Sequence, residues 1–145
     1  MTAATPDLRA RQIAENMLSK DAYSQWLGIR IAAVGRGHAT LHMAVREEMC
    51  NGFGICHGGI AYSLADSAAA FASNGYGPIT VLLNGGMSYP QAIHAGENLT
   101  AEAVQESLSG KMGIYKVLLK RQDGEVVAVF QGTVYQTRQF HPEGE

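Results

Sequence analysis

The feature that most constrains the fold is a segment from Gly58 to about Asn74, whose side chains are small and apolar almost all round. A helix that is apolar on nearly every side is a buried helix. Alanine is frequent in this segment, so a sheet can approach the helix closely from several sides. Asn74-Gly75 and Gly77-Pro78 end it. We therefore predict one buried central helix.

The remainder of the chain is predicted to be mostly strand. Apolar and polar residues alternate in segments joined by short turns, and Asp123-Gly124 is a strong signal for a hairpin. Near the N-terminus, Thr5 and Asp21 can each cap a short helix. The second helix is stopped by Gly28, and we expect its Trp26 to lie in the core. The predicted strands cover residues 29–33, 41–45, 79–83, 98–108, 112–121 and 126–137.

These elements predict an α+β protein in which a long, curved antiparallel sheet wraps one central Ala-rich helix. We expect residues 1–145 to form a single domain with an N-terminal helical extension over about residues 5–27. Hydrophobic residues make up 46% of the chain and charged residues 17%, which is ordinary for a compact protein and argues against disorder. The two edges of such a sheet favour pairing with another copy of the chain.

Charge and composition exclude several classes of partner. A net charge of −2 gives no electrostatic case for binding nucleic acid or an anionic membrane, and no apolar run is long enough to span a bilayer. Residues 1–8 are neither basic nor followed by an apolar stretch, so we expect no export signal and a cytoplasmic protein. In that compartment Cys50 and Cys56 are expected to be free thiols.

Asp66 is the leading catalytic candidate. It is the one carboxylate in a helix otherwise made of residues such as Ala, Leu and Phe, and burying a charge there is costly. Sequences tolerate such a cost mostly where the charge has a function. The alternative is a structural aspartate that is hydrogen-bonded to serine or asparagine neighbours.

Gly58 and Gly59 open the central helix, where unpaired amides and a partial positive charge can bind an oxyanion. The alternative is that they only form a tight turn. Asp66 lies eight residues beyond Gly58, or roughly 12 Å along a helix. The two groups therefore cannot act on one carbonyl within the same subunit. If they cooperate, they come from different chains, and the chemistry predicts a dimer.

Asn51 and His57 precede the helix and are secondary candidates. Asn51 can orient a water molecule or a carbonyl group, or it can simply form a turn with Gly52. His57 can stabilise the loop, donate to a carbonyl or act as a base. The cysteines and histidines lack the paired spacing of a zinc site, and Ser63 and Ser67 do not lie in a G-x-S-x-G turn.

Taken together, residues 51–66 and the following strands resemble the hotdog-fold acyl-CoA thioesterases of the phenylacetic acid degradation (PaaI) family. The resemblance spans roughly residues 20–138. Its most specific part is His57-Gly58-Gly59 with Asp66 on an Ala-rich helix. The resemblance implies a five- or six-stranded sheet, a dimer with sites at its interface that pairs into a homotetramer, and hydrolysis of acyl-CoA without a metal or redox cofactor.

The resemblance also assigns roles. Asp66 is implied as the nucleophile or as the base that activates water, the Gly58 amide as the oxyanion donor, Asn51 as the group that positions water or the carbonyl, and His57 as a group that shapes the site. Thr80 is the best match to a hydroxyl residue that contacts the carboxylate in relatives. Candidates for lining an aryl-acetyl pocket are Phe53, Tyr62, Phe71 and Met87.

Two features of the sequence depart from the family pattern. Gly85-Gly86 is unusual inside a strand and predicts a bulge or a close approach. The segment 91–96 is about two residues longer than expected.

A hotdog hydratase or dehydratase acting on 3-hydroxyacyl thioesters would use His57 as base with Asp66. A non-catalytic acyl-CoA-binding module would keep the Gly58 helix start but would not need Asp66.

Overall fold

The computed structural model describes residues 5–143, which form six strands, three α-helices and one 3-10 turn. The strands form one antiparallel sheet in the order β1-β2-β4-β5-β6-β3. This confirms the predicted antiparallel sheet with a central helix. In chain order the elements are α1 (Pro6–Lys20), α2 (Ala22–Leu27), β1 (Arg30–Gly35), β2 (His38–Ala44), a 3-10 turn (Glu47–Met49), α3 (Gly58–Asn74), β3 (Pro78–Ser88), β4 (Asn98–Ser109), β5 (Met112–Lys120) and β6 (Val126–Phe140).

The central helix is α3, as the apolar pattern predicts. Its Leu64 and Phe71 are fully buried and belong to the main hydrophobic core. Alanines at the neighbouring buried positions allow α3 to pack against β2, β4, β5 and β3. One stripe of α3 stays partly exposed and carries Gly59, Ser63 and Asp66. The fold thus places the single carboxylate of α3 on its accessible side.

The N-terminal helices begin and end as their capping residues predict. The Thr5 hydroxyl accepts a hydrogen bond from the Leu8 amide, and Gly28 ends α2 in the left-handed conformation at φ 76°. The expectation for Trp26 is wrong, because this side chain is 47% exposed. The short α2 directs Leu27 into the core instead, and the indole stacks on Tyr23 and on the Arg46 guanidinium.

Strand β3 is longer than predicted, because it continues through Gly85 and Gly86 to Ser88. A register shift lies between Leu82 and Asn84, whereas Gly85 and Gly86 pair regularly with Gly132 and Gln131, so the predicted bulge does not fall at the glycines. Gly85 makes the predicted close approach, since a Cβ atom there would lie 2.6 Å from the Tyr62 hydroxyl and 2.8 Å from the Phe130 ring. The glycine therefore allows the edge strand to pass over two aromatic side chains.

Substitution of the two adjacent glycines of β3 is expected to give opposite results. Gly85→Ala should lower the free energy of unfolding by about 1–3 kcal/mol, because the Phe130 ring is fully buried and cannot move aside. Gly86→Ala is the matched control, since a Cβ atom there meets nothing within 4 Å. We expect it to change stability by less than about 1 kcal/mol. Chemical denaturation of both variants measures the difference, and equal destabilisation would contradict the packing argument.

Candidate functional site

The first turn of α3 presents one amide without a partner. The His57 side chain caps the helix, and its Nδ1 atom accepts a hydrogen bond of 3.0 Å from the Gly59 amide. The Gly58 amide makes no hydrogen bond to any residue from 5 to 143. Because the positive end of the helix dipole adds to this free donor, the amide can bind a carbonyl oxygen that gains negative charge.

Tyr89, just beyond the end of β3, fixes this helix start. Its hydroxyl donates a 2.8 Å hydrogen bond to the Gly58 carbonyl oxygen. Burial, followed by the nearby Tyr62 and Cys56, raises the pKa of the Tyr89 phenol, so it remains a donor at neutral pH. Sequence reasoning missed this residue, because no local spacing relates Tyr89 to a helix that begins 31 positions earlier.

The Asp66 carboxylate makes no hydrogen bond or ion pair to residues 5–143. The two adjacent hydroxyls are used elsewhere: Ser63 bonds the Gly59 carbonyl and Tyr23, and Ser67 bonds Ser24. The structural alternative of an aspartate held by serine or asparagine neighbours therefore has no support. Burial, and then the charge of Asp21, raises the pKa of Asp66 above its ordinary value.

Because the pKa of Asp66 is raised in the folded chain, the charged form of this side chain lowers the free energy of unfolding. Because the folded chain holds this proton more tightly than the unfolded chain does, stability falls as the pH rises through the unfolded value of 3.8 towards the folded one. We expect Asp66→Asn to be more stable than the wild type at neutral pH, and the difference to vanish below about pH 3.8. Thermal unfolding of both proteins over this pH range measures it. A difference that does not change with pH would contradict the expectation.

The structure does not bring Asp66 and Gly58 together within one chain. Both lie on α3, eight residues apart, which corresponds to about 12 Å along the helix axis. His57 lies still farther from Asp66. With Nδ1 accepting from Gly59, a neutral His57 ring carries its proton on Nε2 and acts as a donor. Within one chain, this arrangement does not bring His57 and Asp66 together as the acid–base pair that a hydratase would need.

Asn51 forms the turn that precedes α3. Its Oδ1 atom accepts hydrogen bonds from the amides of Phe53 (2.9 Å) and Ile55 (3.2 Å). Both partners are donors, so the assignment of the side-chain oxygen is fixed. The Nδ2 group makes no hydrogen bond within the described part of the chain, residues 5–143. Asn51 is thus both a turn residue and a free donor.

Thr80 does not contact Asp66 within the chain, contrary to the expectation from the family resemblance. Its hydroxyl donates to the Pro78 carbonyl, and its backbone is held on both sides by the Asn74 side chain. Asn74 is the last residue of α3, about 12 Å along the helix axis from Asp66. Within the chain, Thr80 therefore joins the end of α3 to the start of β3.

A pocket of about 450 Å³ opens beside the first turns of α3. Its walls include His57, Gly59, Ser63, Tyr23 and Cys50. It lies on the stripe of α3 that also carries Asp66.

The four residues that were predicted to line an aryl-acetyl pocket do not all lie where they could contact an acyl group. Phe71 is a core residue at 1% exposure, whereas Phe53 is 90% exposed at the tip of the loop before α3. Tyr62 and Met87 are partly buried and pack against the core. The Tyr62 ring meets the Phe130 ring edge-on at a centroid distance of 5.3 Å. Of the four, Tyr62 and Met87 are therefore the two that are partly accessible and also packed against the core.

Within residues 5–143, no group of three or more His, Cys, Asp or Glu side chains could hold a metal ion. None of the helices in the same range is long and apolar enough to cross a membrane.

Among residues 5–143, α3 carries an amide and a carboxylate without hydrogen-bonding partners, which are two kinds of group that acyl transfer needs. The family model of the thioesterase superfamily matches residues 53–128, and the chain belongs to this superfamily. Within it, the chain falls in the PaaI family of hotdog-fold thioesterases, and it is a thioester hydrolase.

Three comparisons support this assignment. The acyl-coenzyme A thioesterase PaaI of Escherichia coli strain K12 is 36% identical over 124 residues, covering 86% of this chain and 89% of that protein. The structure of the E. coli PaaI protein from the phenylacetic acid degradation operon superposes with a TM-score of 0.91, at 32% identity over 94% of this chain and 99% of that one. A mutant of the phenylacetic acid degradation protein PaaI from Thermus thermophilus gives a TM-score of 0.77 at 37% identity, covering 81% of this chain and all of that one.

Proposed function

We propose that the protein hydrolyses acyl-CoA thioesters, with a preference for aryl-acetyl groups such as phenylacetyl or hydroxyphenylacetyl, to the free acid and CoA. The observation that carries the proposal is that α3 carries two groups without hydrogen-bonding partners among residues 5–143: the Asp66 carboxylate and the Gly58 amide. A thioester needs an attacking oxygen and a donor for the developing oxyanion, and these groups supply both. The relatives named for acyl-CoA hydrolysis and phenylacetic acid degradation support the substrate class.

The active unit in this proposal is a homodimer, and two dimers form a homotetramer. The roughly 12 Å between Gly58 and Asp66 along α3 requires the two groups of one site to come from different subunits. Strand β3 is the last strand of the sheet, so its outer edge is open for pairing with a second copy. Val81 and Leu83 on this strand are 45% and 53% exposed, which favours burial in an interface.

In the proposed reaction the Gly58 amide of one subunit holds the thioester carbonyl oxygen, and Asp66 of the other subunit supplies the attack. Asn51 donates from its free Nδ2 group to the carbonyl or to the water molecule, and His57 keeps the helix start in shape. Asp66 either attacks the carbonyl carbon and expels the CoA thiolate, which leaves a mixed anhydride that water then opens, or removes a proton from a water molecule that attacks the carbonyl carbon and expels the CoA thiolate. In single-turnover hydrolysis in ¹⁸O-labelled water, label found in the Asp66 side chain indicates direct attack, because it enters when water opens the mixed anhydride at the Asp66 carbonyl carbon.

The acyl preference is tested with a panel of acyl-CoA thioesters, from short aliphatic to aryl-acetyl, by following the release of free thiol. The partly buried Tyr62 and Met87 favour a flat aromatic group over a long aliphatic chain. We expect the highest kcat/KM for the aryl-acetyl substrates. Hydrolysis that is fastest for long aliphatic chains would contradict the preference. No thiol release from any substrate, with the protein folded, would favour an acyl-CoA-binding module instead.

A further inference from the structure

The loop before α3 is closed by two cysteines that face each other. Cys50 and Cys56 form an isolated antiparallel β-bridge at the base of the loop that carries Asn51. Neither cysteine is in a disulfide in this structure. Cys50 is partly exposed and Cys56 is buried. The two thiols therefore differ in their exposure to solvent, although the two cysteines lie opposite each other in the same β-bridge.

The backbone hydrogen bonds show which kind of pair the two cysteines form. The Asn51 amide donates to the Ile55 carbonyl at 2.8 Å, and the His57 amide donates to the Met49 carbonyl at 2.8 Å. These two hydrogen bonds lie on either side of Cys50 and Cys56. The two cysteines make no backbone hydrogen bond to each other, so they form a non-hydrogen-bonded pair of the antiparallel bridge. In such pairs the Cα atoms are about 4.5 Å apart and the side chains are on the same face. That separation falls within the range found in disulfides, about 4.4–6.8 Å.

We propose that Cys50 and Cys56 are a redox modification site, at which a small-molecule disulfide converts the two thiols into an intramolecular disulfide. The bond would close a ring around the Asn51 turn immediately before the His57 cap of α3.

The two thiols have different parts in this reaction. Cys50 lines the pocket of about 450 Å³ beside α3 and a second pocket of about 310 Å³ that Asn51 and Gly54 also line. A small disulfide can therefore reach it. Burial, followed by the neighbouring Cys50 and Glu97, raises the pKa of the Cys56 thiol to about 11. Cys50 is thus the residue that reacts first, and Cys56 is the resolving residue.

The chemistry balances in two exchange steps. The Cys50 thiolate attacks one sulfur of the small disulfide, forms a mixed disulfide and expels one thiolate. The Cys56 thiolate then attacks the Cys50 sulfur, forms the protein disulfide and expels the second thiolate. The protons of the two protein thiols pass to the two released thiolates. Two protein thiols are oxidised, and one small disulfide is reduced to two thiols.

The test incubates the reduced, folded protein with glutathione disulfide and follows intact mass, free thiols and a peptide map. We expect the wild type to lose both free thiols and the mass of two hydrogen atoms, with a Cys50–Cys56 cross-link that dithiothreitol reverses. Closing this short loop should also raise the Tm by about 5 °C. A wild type that stays reduced, or that keeps glutathione on Cys50, would overturn the proposal.

Two single variants separate the two parts of the reaction. Cys56→Ser lacks the resolving thiol, so we expect it to retain one glutathione on Cys50. Cys50→Ser leaves only the buried thiol, so we expect it to remain unmodified under the same conditions. Equal labelling of both variants would show that the thiols react independently and would contradict the assigned order. Circular dichroism of each variant confirms that it is folded before labelling.

Discussion

Asp66→Asn is expected to lower kcat for thioester hydrolysis by about 10³- to 10⁴-fold. Asparagine has the size of aspartate but is neither a base nor a nucleophile at neutral pH. The carboxylate has no hydrogen-bonding partner among residues 5–143, so the substitution breaks no network that holds the fold. Steady-state kinetics with an acyl-CoA substrate measures the loss, and substrate binding should persist.

Ser67→Ala is the matched control for this experiment. Ser67 follows Asp66 on α3, but its hydroxyl bonds Ser24 rather than the carboxylate. We expect this variant to keep its activity within a few-fold of the wild type. If Asp66→Asn turned over at a rate near the wild type, Asp66 would be a structural residue, and the proposed reaction would have no attacking group.

Gly58→Pro is expected to lower kcat by about 10²- to 10³-fold relative to Gly58→Ala. Proline removes only the amide proton that is proposed to bind the oxyanion, and this amide makes no hydrogen bond to residues 5–143. Proline is also well tolerated at the first position of a helix. His57, at φ −58° and ψ 135°, already has the extended conformation that a residue before proline prefers.

Gly58→Ala controls for the added carbon atoms in the comparison with proline. A Cβ atom at this position would lie 3.2 Å from the Tyr89 hydroxyl, so a small adjustment of the ring is needed in both variants. The alanine variant keeps the amide proton and should lose only a few-fold in activity. Equal activity of the two variants would exclude the Gly58 amide as the oxyanion donor.

The sequence predicted the centre of the fold well, because the signals for it are local. An apolar pattern interrupted by one carboxylate identifies both the buried helix and Asp66 from residues 58–74 alone. The Asn51 turn and the helix caps are similarly short-range. The alternatives offered for Asp66 and Asn51 needed the hydrogen bonds of the structure to separate them. The hydrogen bonds of Ser63 and Ser67 go to groups other than the Asp66 carboxylate, so they exclude these serines as its partners. The hydrogen bonds of Asn51 show that it forms the turn and that its Nδ2 group has no partner among residues 5–143.

The sequence failed where the outcome depends on contacts between distant segments. The full length of β3 rests on Gly85 passing over Tyr62 and Phe130, and two adjacent glycines alone do not predict a strand. Trp26 lies outside the core because the six-residue α2 buries Leu27 instead. The resemblance places Thr80 beside the carboxylate, whereas its hydrogen bonds within the chain join it to Asn74 and Pro78.

The most direct test of the central claim is complementation between Asp66→Asn and Gly58→Pro subunits that are co-expressed with different tags. Each variant alone should be nearly inactive. In a random mixture half of the dimers are mixed, and each mixed dimer contains one intact site if Gly58 and Asp66 act across the interface. The account therefore predicts recovery of about one quarter of the wild-type activity. No recovery in purified mixed dimers of folded subunits would contradict the account, because Gly58 and Asp66 would then not share a site across the interface.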